Sequence, residues 1–110
     1  MMKLITNTNI EHTGRRRDVL SGHAATRQLA AAAAGDGEAC HALGVAYSTG
    51  AGELRDLIEA HKWFNLGAMH GHEEAGWCRA DIAAEMSRSE IAEAQRRARA
   101  WLGGGLRRAA

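Results

Sequence analysis

Between about residues 16 and 102 the apolar positions recur at helical spacing, interrupted by glycines and by residues that cap helices. A first helix is predicted from about Arg16 to Ala34, carried by Val19, Leu20, Ala24 and the Leu29–Ala34 run. Gly35 ends it in a left-handed conformation. Asp36 or Gly37 opens a second helix to about Ser48, in which Ala39, Leu43, Ala46 and Tyr47 recur at spacings of three and four. Gly50 and Gly52 terminate that helix. Asp56 caps a third, with Glu59 placed to cap reciprocally, and the helix runs to about Met69 before Gly71 stops it. A fourth runs from near Glu73 to near Met86. Ser87 and Glu90 form a second capping box, opening a fifth helix to about Leu102, where Gly103 to Gly105 end order. The first dozen residues are polar and aperiodic, and are expected to fray. The reading is thus a tail over residues 1–14, a helical domain over 15–102 and a tail over 103–110. Short connections predict antiparallel packing of neighbouring helices.

Composition agrees with an all-α chain. Alanine makes up about a fifth of the 110 residues, proline is absent and β-branched residues are few. That length suits one small domain or a short repeat array.

Internal repetition favours the array. Gly35-Asp-Gly-Glu-Ala39 and Gly71-His-Glu-Glu-Ala75 align at an offset of 36, and the same offset lays Ala24, Ala31, Ala32 and Gly35 under Ala60, Gly67, Ala68 and Gly71. Glu59-Ala60 matches Glu93-Ala94 at an offset of 34, so the later turn is shorter. The chain reads as a trailing helix, a full unit over 36–71 and a divergent unit over 72–102. In the divergent unit Arg79, Ala80 and Ala83 stand under Leu43, Gly44 and Tyr47, which marks it as a solvent-facing cap.

The full unit carries Cys40, Leu43, Gly44 and Tyr47, then Ala60 and Phe64, in tetratricopeptide order, with Cys where Trp is usual and no closing Pro. The Gly50–Gly52 turn, Asp56, the aromatic pair Trp63-Phe64 and Ala68 make it more similar to the Sel-one-like repeat (SLR) branch of that superfamily. The resemblance covers about Gly35–Ala75 specifically, weakens over 76–102 and is faint before 35. It implies a right-handed α/α superhelix of antiparallel helix pairs, serving as an adaptor or scaffold for other proteins. A minority of such proteins are credited with enzymatic activity, so a small hydrolase stays open as the alternative. Independently of any family, Gly44 is expected to face Ala60 so that two helices approach closely, with Leu43, Tyr47, Phe64 and Leu66 filling the flanks.

Charge and chemistry narrow the function. The net charge is +1, distributed as +3 over residues 1–35, −5 over 36–75 and +3 over 76–110. An acidic middle between basic ends favours a basic partner segment, or self-association through complementary ends. It opposes a nucleic-acid backbone, and the arginines at 15–17, 96, 97, 99, 107 and 108 have no interleaved aromatics. No apolar run reaches transmembrane length and no signal-peptide core is present, so a cytoplasmic setting without membrane contact is expected. Cys40 and Cys78 lack metal spacing and read as small half-buried thiols. Gly50-Ala51-Gly52 follows a helix and lacks a phosphate-loop signature. His70-Gly71-His72 has no further ligand at a recognisable spacing and reads as a polar turn. Glu73 and Glu74 are first-turn acids favoured by the helix dipole. No catalytic residue, cofactor or metal is assigned.

The site expectation rests on the resemblance, which places the first helix of each unit on a concave face. Glu38, His41, Val45 and Ser48 would then point into a groove, joined by Glu74, Trp77 and Asp81 from the next unit. Trp77 between Glu74 and Asp81 would anchor an apolar and basic peptide. The competing reading packs Trp77, with Ala80 and Ala84, under the fifth helix. Trp63 and Trp101 read as interhelix packing.

Overall fold

The computed structural model describes the backbone of residues 22–50 and 55–109. These form five helices: α1 (Gly22–Ala33), α2 (Gly37–Ser48), α3 (Leu57–Met69), α4 (Glu73–Ala83) and α5 (Arg88–Ala109). No strand occurs among the described residues, in agreement with the all-α expectation. The expected helix start near Arg16, the tail over 1–14 and residues 51–54 of the glycine turn lie outside the described residues.

Two helix ends share one construction. Gly35 and Gly71 take positive φ, at 91° and 88°. Gly35 N–H donates to Ala32 and Asp36 N–H to Ala31; 36 residues on, Gly71 N–H donates to Ala68 and His72 N–H to Gly67. Both are Schellman ends, so the sequence offset reappears as a repeated backbone hydrogen-bond pattern. The repeat breaks at the next cap. Asp36 Oδ1 accepts from Glu38 N–H at 3.0 Å and Ala39 N–H at 3.4 Å, whereas His72 caps α4 with no side-chain hydrogen bond.

The other caps follow the sequence with one difference. Ser87 and Glu90 bond reciprocally at 3.1 and 2.8 Å, completing the expected box. Asp56 accepts from Glu59 N–H at 3.0 Å, but Glu59 does not return the bond. Asp56 N–H already donates to the Tyr47 carbonyl, which leaves the Glu59 carboxylate to meet Lys62 at 3.1 Å and Arg97 at 2.7 Å.

α3 is the centre of the molecule, packing against α2, α4 and α5. On one side Cys40, Leu43, Trp63, Leu66, Ala32 and Ala98 form a core; on the other, Ala60, Phe64, Ala75 and Ile82 form a second. The close helix approach is made by Gly67, where a β-carbon would lie 2.9 Å from Ala75 Cβ and 3.2 Å from the Gly37 carbonyl. Gly44 does not serve the expected Ala60 pairing: the atoms nearest its missing side chain belong to the Phe64 ring. The larger aromatic has taken the space that two small residues were expected to share.

The last helix departs from the expected order of neighbours. α5 packs on α3, not chiefly on α4. Trp101 meets Trp63 edge-on with ring centroids 4.9 Å apart, and Ala94 and Ala98 are buried. Arg97 ties the two helices by donating to Glu59 on α3 and Glu93 on α5. Nor do the three glycines end α5, whose backbone stays helical from Arg88 through Ala109. A glycine stops a helix by turning left-handed, as Gly35 and Gly71 do. Gly103 and its two neighbours stay in the helical conformation.

Candidate functional site: the α2/α4 face

α2 and α4 pack against one another, and the residues expected to line a groove are divided between them. Trp77 is 65% exposed, the most open large apolar side chain described. The reading that packs it under the fifth helix is therefore incorrect. α5 has gone to α3, and Ala80 and Ala84 are exposed as well. Glu74 and Asp81, one turn to either side of Trp77 on α4, are exposed. On α2, Glu38 is exposed and Val45 is 37% exposed. Ser48 is half-buried, and its hydroxyl donates to the Val45 carbonyl at 3.2 Å, so it is spent on its own helix.

His41 joins the two helices. Its Nε2 lies 4.0 Å from Glu74 Oε2 and 3.7 Å from Cys78 Sγ. Its ring stands 4.6 Å from the His72 ring, centroid to centroid, at a 46° tilt, and 5.7 Å from the Phe64 ring. His41, His72 and Glu74 each place a donor atom within 4.8 Å of the others. The residues adjoining His72 in the chain offer no further ligand at a recognisable spacing. His41 lies far upstream, and no short-range motif links the pair.

Neither thiol is activated. Burial, and then the nearby Asp36 carboxylate, push Cys40 up to about 11. Burial raises Cys78, reinforced by Glu74 and Asp81. Both are free, and both stay neutral at physiological pH, the opposite of what a nucleophile needs. Arg79, expected to face solvent, is half-buried and donates to Asn65 Oδ1 at 2.7 Å. A recess of about 370 Å³ between the α3 and α5 N-termini is crossed by an Arg55–Glu85 ion pair at 2.9 Å.

The basic segment of α5 is partly committed inside the protein. Arg96 pairs with Glu93, and Arg97 binds Glu93 and Glu59. Residues 15–17 lie outside the described part of the chain. No helix among the described residues is long and apolar enough to cross a membrane. The chain matches no known family model, no curated protein and no solved structure.

Proposed function

We propose that this chain is a non-enzymatic binding module whose α2/α4 face receives a partner segment carrying a large apolar side chain flanked by basic residues. The observation that carries this reading is Trp77, exposed to 65% with an exposed carboxylate one turn before and one turn after it. Tryptophan is costly to leave in water and is over-represented among the residues that dominate binding energy. On the neighbouring helix Val45 is a second exposed apolar side chain, and Glu38 is a further exposed carboxylate. The negative charge of the middle segment complements a basic partner. The resemblance to SLR proteins, with a right-handed superhelix and a scaffold role, points in the same direction, and two free thiols suit the cytoplasm.

Peptide display against the immobilised protein tests this directly. Selected peptides should combine Lys or Arg with a bulky apolar residue and bind more weakly as salt rises. Trp77→Ala should lower their affinity at least about tenfold, the loss of one modest anchor, while helicity and melting temperature are unchanged. Selection without such enrichment, or binding indifferent to Trp77→Ala, would overturn the assignment. Sedimentation of the free protein at two salt concentrations distinguishes a second copy as the occupant, because charge-driven self-association dissolves in salt.

A further inference from the structure

We propose that His41, His72 and Glu74 form a binding site for a first-row divalent metal ion, with Zn²⁺ as the natural probe. The site goes beyond the peptide-binding reading and does not depend on it.

The donor set is the first argument. Two imidazoles and one carboxylate are the ligands that Zn²⁺ and its neighbours accept, and three protein ligands leave a fourth position for water. The three donor atoms already lie within 4.8 Å of one another. Ligand atoms about 2.0–2.2 Å from a tetrahedral ion stand roughly 3.3–3.6 Å apart, so the widest separation, at most 4.8 Å, needs to contract by up to about 1.5 Å. The His41–Glu74 edge, at 4.0 Å, needs less. Glu74 is the residue free to move, with its side chain 62% exposed.

The second argument is His72 itself. At the matching position 36 residues earlier, Asp36 caps its helix with two hydrogen bonds. His72 occupies the same place after the same Schellman turn, makes no cap bond, and leaves Nε2 buried without a hydrogen-bond partner. A buried ring nitrogen without a partner is unfavourable in an ordinary turn; a metal bond or a ligand contact would satisfy it. The positive end of the α4 dipole opposes a cation there, and Glu73 and Glu74 in the first turn offset that field. Cys78 Sγ lies 3.7 Å from His41 Nε2 and stands beside the ligand set, not within it.

The experiment is titration of tag-free full-length protein with Zn²⁺ against a chromophoric chelator, paired with thermal melts in Zn²⁺ and in Mg²⁺. One ion per chain should bind, and Zn²⁺ but not Mg²⁺ should raise the melting temperature. His72→Ser supplies a good helix cap where His72 makes none, so it should fold at least as well without metal and still lose Zn²⁺ affinity. Loss of a direct ligand should exceed the roughly 10–100-fold that supporting residues carry. His41→Ala and Glu74→Gln should weaken binding in the same way, whereas His70→Ala and Cys78→Ser should leave it within about threefold, well short of that loss. Absence of Zn²⁺ binding by the folded wild-type chain would overturn the site. So would binding that survives His72→Ser, or that is lost in Cys78→Ser. Because the free protein is titrated, failure here leaves the peptide-display result standing, and the reverse also holds.

Discussion

Phe64 fills the space that a side chain on Gly44 would need: a β-carbon there would stand 2.5 Å from Phe64 Cδ1 and Cε1. Phe64 is itself only 2% exposed and belongs to the core between α3 and α4, so its ring has little room to withdraw. Gly44 is kept free of a side chain by an aromatic on the facing helix, and this contact sets how α2 sits on α3.

Gly44→Ala should therefore destabilise the protein although alanine is the better helix former. The propensity gain is about 1 kcal/mol, against an overpacking cost of about 1–3 kcal/mol. A net loss is expected in urea denaturation. The effect should shrink in a Phe64→Leu background, where the ring is gone, and an undiminished effect there would place the strain elsewhere.

The three tryptophans should separate cleanly. Trp63 is 2% exposed and packs edge-on against Trp101, so Trp63→Ala should cost about 3–5 kcal/mol. Trp77→Ala should change stability by no more than about 0.5 kcal/mol, as for other exposed sites. In single-tryptophan variants, acrylamide should quench Trp77 fluorescence efficiently and leave Trp63 largely protected.

His61 predicts a pH response. It is 3% exposed with Nδ1 unpartnered, and burial, then the charge of Arg79, hold its pKa below the ordinary 6.5. The unfolded chain then takes up a proton before the folded one does. Stability is full above about pH 6.5 and falls as pH drops through the interval between the unfolded and folded values. Melting temperatures measured from about pH 7.5 to 5 should show this decline, and His61→Leu should flatten it. Glu59 acts in a lower window. Burial would raise its pKa, but the Arg97 hydrogen bond, the Lys62 charge and hydrogen bond, and the Arg97 charge together lower it below its usual 4.5. Stability present above that value is lost as pH falls toward the folded pKa.

His72→Ser supplies α4 with the side-chain cap that Asp36 gives α2. Without metal it should be more stable than wild type by about 0.5–1 kcal/mol, the ordinary worth of a cap. Differential scanning calorimetry in the presence of chelator measures this. A destabilised variant would mean that His72 already contributes packing that a serine loses.

Much of the secondary structure was legible because its causes are local. Gly35 and Gly71 end helices through their own backbone freedom, and Asp36, Asp56 and the Ser87–Glu90 box start them through bonds spanning two or three residues. The offset of 36 reappears as paired Schellman turns for the same reason. Where a local signal had a competitor from another helix it misled: the Tyr47 carbonyl takes the Asp56 N–H, and Glu59 meets Arg97 in place of its cap. The glycines after Leu102 lower helix propensity but do not turn left-handed.

The candidate site was legible only in part. Spacing places Glu38, His41, Val45 and Ser48 on one helix and Glu74, Trp77 and Asp81 on another, between the packing positions, while their grouping into one groove rests on the repeat resemblance. Whether Trp77 was core or surface depended on where α5 docked. That was settled by Trp101, Ala98 and Arg97 finding Trp63, Leu66 and Glu59 on α3.

The sequence by itself determined an all-helical chain, the glycine ends at Gly35 and Gly71 and the starts capped by Asp36, Asp56 and Ser87, since each depends on neighbours within a turn or two. Only the tertiary structure decided that Phe64 stands over Gly44, that α5 leaves Trp77 in the open, and that His41 meets His72 and Glu74. Those relations join residues from separate helices, and they come from how the helices pack, which spacing along the chain does not encode.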